Sequence, residues 1–423
     1  MRRRISTLAL LIATTPVLCA SAARTPQGYR AAGKILATAW PYVGGSIVPV
    51  RVDGFPVPYQ VALSGAGSLR EGGFYVVPND VRPGIATLVA GNQDGLAART
   101  LHVGAPPPPG HAFLAVASYD NGVVFHDARD FSVLGVLATG GTPSDAAIGA
   151  DGRLAITDTQ GSAITVASLR PWSVSHIDGI PFGDEVAIDN RGGAIFVTNR
   201  ELNGAGALTR VGADGNVTHV ATGQTAEGLA IDERRQIVYV ANVNDGTVAA
   251  IDANSLRLIR RFRAIARIFS LALNPDGSRL YGISNQSAGS PFAAPGAAVI
   301  IDLRAGRPQV VARSANLTFP LGAALDSRAN TLFVTDESLD VVDVLDARTL
   351  RAKHSPLRTC RTPWKPAIDP DALRLFVPCA RDGAVDVFDT STLRRVAGAP
   401  FSTGGYPLAV AIWAARTHAA GTP

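Results

Sequence analysis

One pattern recurs seven times and constrains the fold more than any other feature of the chain. Residues 114–118 read LAVAS, 154–158 LAITD, 195–199 IFVTN, 238–242 VYVAN, 280–284 LYGIS, 332–336 LFVTD and 375–379 LFVPC. Their starts lie 40, 41, 43, 42, 52 and 43 residues apart, about the length of one four-stranded propeller blade. Seven copies predict an all-β, seven-bladed propeller over residues 112–415, with a short tail at 416–423. The long interval contains 286–296, rich in Gly and Pro, which reads as a loop inserted between two strands of one blade.

The repeat also predicts each strand's place. Stretches such as Gly228-Leu229-Ala230-Ile231 are small and apolar, as inner strands crowded round an axis must be. The repeated motif supplies the second strand and its large apolar residues. A third strand ends in Asp at Asp127, Asp252, Asp302, Asp346 and Asp389, where an Asx-type hydrogen bond sets the turn to the outer strand. The first copy has no inner strand before it, whereas Pro407-Leu408-Ala409-Val410-Ala411-Ile412-Trp413 has no blade after it. Blade 1 is therefore expected to take its inner strand from the C-terminal end, which removes open sheet edges.

Tyr239-Val240-Ala241-Asn242, followed by Asp245-Gly246-Thr247-Val248, resembles the YVTN-repeat family of bacterial β-propellers, and Asn274-Pro275-Asp276-Gly277 matches the turn before the next such strand. The likeness covers about residues 113–413. It implies the propeller fold, and it leaves function to be argued from the site, because one fold hosts many functions.

Before the repeats, Arg2, Arg3 and Arg4 precede an apolar run from Ile5 to Leu18 and the small residues Ala20-Ser21-Ala22. This is the pattern of a cleaved secretory leader at 1–23. The run is too short for the roughly 20 residues of a membrane span. A periplasmic or secreted location is therefore expected, with no membrane span after cleavage. Residues 30–104 read as short strands at 34–39, 47–52, 59–63, 74–77, 86–90 and 97–103, and the stretch 59–90 resembles bacterial Ig-like domains. Four consecutive prolines within 105–111 form a stiff linker. The formal charge of +5 falls to +5 − 3 = +2 once the three leader arginines are removed, which weakens the case for a polyanion partner.

Propeller ligand sites are expected where each outer strand crosses to the next inner strand, here at 140–145, 180–185, 223–227, 264–269, 316–321, 360–365 and 404–408. Three successive crossings carry Asp145, then Asp184 and Glu185, then Glu227; Arg267 and Lys365 follow on the far side, with Phe319, Trp364 and Tyr406 between them. An arc of Asp145, Glu185 and Glu227 could hold Ca²⁺ or Mg²⁺, which favour several oxygen ligands. That would suit a metal-dependent lactonase- or lyase-like enzyme. The blander reading is a polar rim with no cofactor, on a non-catalytic binding or scaffold protein that recognises a protein, glycan or small molecule as a monomer. Arg257, Arg260, Arg261 and Arg263 make the densest basic run, which reads as an exposed outer strand more readily than as a nucleic-acid or polyanion surface. Cys360 at a crossing and Cys379 at the end of the neighbouring strand should share one face. In an oxidising compartment they are expected to form a disulfide. No nucleophile elbow, haem, zinc-hydrolase or phosphate-loop motif occurs.

Overall fold

The computed structural model describes residues 34–36, 41–53, 60–63, 66–71, 74–92, 95–108, 110–120, 122–202, 205–285, 295–304 and 307–414. The leader at 1–23, most of the inserted loop and the tail at 416–423 lie outside the described residues. No helix among the described residues is long and apolar enough to cross a membrane. The chain divides into two compact units with the boundary after Pro109, and Val133–Gly140 and Leu169–Val174 group with the first.

The first unit is all β. Lys34–Leu36 pairs with Arg51–Asp53, and Ile47–Pro49 pairs with Phe74–Val76. A four-stranded sheet runs Ala66–Glu71, Gln60–Leu63, Gly84–Asn92, Gly95–Val103. The first of these is not among the strands expected from sequence, and its Gly67 and Ser68 carry poor strand propensity. Antiparallel pairing with Gln60–Leu63 overrides that propensity.

Residues 113–413 form seven four-stranded antiparallel sheets, and the seven sequence copies form the second strand of each. From the inside outward, blade 2 runs Pro143–Ile148, Arg153–Asp158, Ala163–Leu169 and Trp172–Asp178; blade 3 runs Gly183–Ile188, Ile195–Leu202, Ala205–Val211 and Val217–Gly223. Blade 4 begins with Ala226–Asp232 and Ile237–Asn242, blade 5 with Ile268–Leu273 and Arg279–Ser284, blade 6 with Pro320–Asp326 and Thr331–Asp336, and blade 7 with Ala367–Asp369 and Arg374–Cys379. Blade 1 closes as expected: Pro407–Trp413 pairs antiparallel with Phe113–Ser118, from Pro407 opposite Ser118 to Trp413 opposite Phe113.

Burial explains why the strands differ in composition. A middle strand packs on both faces against neighbouring blades, so Phe113–Ser118 and Gly122–Asp127 are buried throughout. An outer strand has one wet face, so Leu258–Arg263 is nearly all exposed. The core is a ring of clusters between blades. Phe196 and Leu208 of blade 3 meet Val238 and Ile251 of blade 4, and Phe376 and Val387 of blade 7 meet Leu114 and Val410 of blade 1. The turns after the third strands follow the aspartate pattern: Asp252 Oδ1 accepts the N–H groups of Asn254 and Ser255, and Asp346 and Asp389 do the same for Arg348 and Thr349, and for Ser391 and Thr392. Each turn ends on a leucine in the left-handed region, Leu256, Leu350 or Leu393.

Candidate functional site at the channel mouth

Six of the seven inner strands begin irregularly. The pairing register slips between Pro143 and Ala146, Gly183 and Val186, Ala226 and Leu229, and Pro320 and Ala323. Such bulges re-aim side chains, and here the bulged positions carry Asp145, Asp184, Glu185 and Glu227. The N–H groups freed by the slip are taken up locally. Asp145 N–H donates to Thr157 Oγ1 and Glu185 N–H to Thr198 Oγ1, both at 3.0 Å. The repeated threonine of the second strand thus holds the acidic backbone in place.

The last residue of each repeated motif ties back to the crossing before its inner strand. Ser118 Oγ accepts Tyr406 N–H, Asp158 Oδ1 accepts Thr142 N–H, and Asn199 Nδ2 donates to the Pro181 carbonyl. Asn242 Oδ1 accepts the Thr222 hydroxyl, Ser284 Oγ donates to the Ala266 carbonyl, and Asp336 Oδ2 accepts Thr318 and Phe319 N–H. In blade 7 the same tie is covalent: Cys379 is bonded to Cys360.

Four carboxylates and two cations gather on this framework. Lys365 Nζ lies 2.9 Å from Glu185 Oε1 and 3.8 Å from Asp145 Oδ2. Arg200 lies 3.2 Å from Asp184 Oδ1 and 3.4 Å from Glu227 Oε1. Two carboxylates also brace adjacent blades: Asp145 Oδ2 accepts Val186 N–H at 3.1 Å, and Glu185 Oε2 accepts Leu229 N–H at 2.6 Å. The second oxygen of Glu227 is buried and has no hydrogen-bond partner.

Burial dominates the electrostatics. It raises the Asp145 carboxyl against the pull of Lys365. It raises Glu185 to about 7, with Lys365 opposing and Asp145 and Asp184 reinforcing. Glu227 is pushed up to about 8 by burial and then by Asp184, with Arg200 opposing. Burial works against the charge on Lys365, but Asp145 and Glu185 outweigh it and hold the ammonium above its ordinary value.

The sequence-derived candidates therefore divide. Asp145, Asp184, Glu185 and Glu227 come together, and Lys365, from the blade 7 crossing, reaches Glu185 and Asp145. The arc of Asp145, Glu185 and Glu227 is occupied by protein cations instead of forming a bare ligand set. Among the described residues no three His, Cys, Asp or Glu side chains gather so as to hold a metal ion. Phe319 and Trp364 pack against Val243, Phe269 and Leu321 in an apolar cluster at the crossings of blades 5 to 7. Trp364 Nε1 is a second buried polar atom with no partner. Arg267, whose Nε is likewise buried without a partner, lines a cavity of about 460 Å³ with residues 243–246 and 263–266, which shares Val243 with that cluster. Tyr406 joins the closure through its backbone, donating to Ser118 Oγ and accepting from Tyr119 N–H. Arg257, Arg260, Arg261 and Arg263 are exposed on or beside the outer strand of blade 4, and Arg263 also lines the cavity beside Arg267. Sequence reasoning missed Arg200. The signal was its place directly after the IFVTN copy, a column that also supplies Val243 to the apolar cluster.

No family model matches the chain, and no curated protein matches it in sequence. Solved structures match its fold. A functionally unknown protein from Desulfotomaculum acetoxidans aligns at 16% identity over 71% of this chain and 98% of its own, with a TM-score of 0.59. Kuenenia stuttgartiensis hydrazine synthase aligns at 17% identity over 72% and 92%, with a TM-score of 0.56. A protein described as a candidate 6-phosphogluconolactonase from Bacteroides fragilis aligns at 12% identity over 73% and 99%, with a TM-score of 0.59. The shared feature is the propeller. At these identities the likeness extends to the fold alone, so the activity has to be read from this chain's own side chains.

Proposed function

We propose that this is an exported, non-catalytic binding protein that takes its ligand at the propeller channel mouth, with the N-terminal β unit as an Ig-like spacer or attachment module. The observation that carries this reading is the division of one mouth into two halves. Blades 2 to 4 present buried carboxylates and blades 5 to 7 present an aromatic and aliphatic wall, with unpartnered buried polar atoms on each side, Glu227 Oε2 on the first and Trp364 Nε1 and Arg267 Nε on the second. Buried polar atoms are normally satisfied, so orphans on both sides of the mouth favour an external partner. The test is a thermal-shift panel of amines, sugars and carboxylates on wild type and on a Glu227→Gln/Trp364→Phe double variant. A class that stabilises only the wild type supports the reading; stabilisation of both proteins alike by every active class refutes it.

One observation favours a second reading. Carboxyls at about 7 and 8 are matched to proton transfer near neutral pH, which would serve a lactonase- or lyase-like reaction with Glu185 or Glu227 as the acid. Because Lys365 and Arg200 hold these acids, the reading carries no metal step. Turnover of simple lactones that falls in Glu185→Gln and Glu227→Gln would favour it over pure binding.

A further inference from the structure

We propose that the ligand of the channel mouth is an organic cation, an ammonium or guanidinium group joined to a flat apolar body, with the cation seated on Glu227 and the body against Trp364 and Phe319. This rests on the reading of the mouth as a binding site and adds the chemical class.

The charge inventory points to a missing cation. Four carboxylates meet two cations, and both cations are already shared. Lys365 stands between Glu185 and Asp145, and Arg200 makes one contact each to Asp184 and Glu227. What remains is Glu227 Oε2, an acceptor without a donor on a side chain only 8% exposed. A buried carboxylate oxygen gains most from an ionised N–H donor. Neutral hydroxyls satisfy the acceptor and leave the charge imbalance, while an anion adds to it.

Arg200 shows how such a cation would sit. Its guanidinium is already over Asp184 and Glu227, yet its side chain is 44% exposed and its contacts, at 3.2 and 3.4 Å, do not form a close fork. It covers the carboxylates loosely from the solvent side. A ligand cation would take the free oxygen beside it and compete with it for Glu227. The apolar wall supplies the rest: Trp364 and Phe319 are only partly buried on the Val243, Phe269 and Leu321 cluster, and aromatic faces favour cations and flat rings. The raised Glu227 carboxyl agrees with this assignment, since burial, Asp184 and Glu185 press it towards the neutral form while Arg200 and Lys365 only partly relieve it.

The experiment is calorimetric titration of the mature chain at pH 8 with phenethylammonium, 2-phenylethanol and 3-phenylpropionate, three probes sharing one ring and differing in head group. Phenethylammonium should bind more tightly than either of the others. Glu227→Gln should weaken it at least tenfold, and Arg200→Met should tighten it by removing a competitor, with melting curves confirming that both variants are folded. The inference is overturned if phenethylammonium fails to bind, if phenylpropionate binds more tightly, or if Arg200→Met weakens the amine. If the alcohol or the carboxylate binds best and Trp364→Phe weakens it, the cation class falls while binding at the mouth stands.

Discussion

Replacing Lys365 by Met tests the electrostatic account of the channel mouth directly. Its ammonium lies 2.9 Å from buried Glu185 and 3.8 Å from Asp145, whose side chain is 15% exposed, so removing it strands two carboxylates. Breaking a buried pair in this way costs about 3–5 kcal/mol, and in a domain of this size each kcal/mol moves the melting temperature by roughly 2–4 °C. At pH 8.5 the variant should therefore melt about 6–20 °C below wild type. The loss must depend on pH, and its sign follows from linkage. Glu185 in the folded protein titrates at about 7, above its ordinary value. A group raised in this way contributes stability that is fully present below the unfolded pKa and lost as pH rises through the folded one. Without Lys365 that folded value rises further, so the stranded carboxyls take up a proton more readily at pH 5.5 than at pH 8.5. Melting curves of both proteins at the two pH values should show a clearly smaller deficit at pH 5.5. An equal deficit at both, or none at pH 8.5, would refute the pairing.

Truncation after Gly405 removes the inner strand of blade 1, including the buried side chains of Leu408 and Val410, whose burial alone is worth roughly 3–6 kcal/mol; the propeller should lose its cooperative melt, and an unchanged melting temperature would disprove the closure. Reduction of the Cys360–Cys379 bond, which spans 19 residues of sequence, should cost about 3 kcal/mol in the chain-entropy model, read as a lower denaturant midpoint in reductant that a Cys360→Ser/Cys379→Ser variant reproduces without it. Arg395 forks onto fully buried Asp386 through Nε and Nη2, both at 2.8 Å. Because Arg395 is itself partly exposed, Arg395→Ala should cost about 3 kcal/mol, the lower end for a stranded buried charge, and chemical denaturation would show it.

The propeller was legible in sequence because each blade repeats the same local demands. The large apolar residues of IFVTN and VYVAN, the aspartate that turns the third strand and the unpaired apolar run at 407–413 each encode a short-range requirement, and all three appear where expected. Even the last letter of the repeat was visible as Ser118, Asp158, Asn199, Asn242, Ser284, Asp336 and Cys379. Its role was not, because each of these residues bonds to a crossing earlier in the chain, or, for Ser118, to the far end of it. Once that tie is seen, the disulfide reads as the covalent member of a seven-fold set of contacts. The channel mouth lies one level further from the sequence. Seven inner strands place Lys365 of blade 7 within reach of Asp145 and Glu185 in blades 2 and 3, and no spacing along the chain encodes a distance across a ring. Repetition therefore makes the scaffold readable, while the site depends on where the copies differ, in the residues that face one another across the axis.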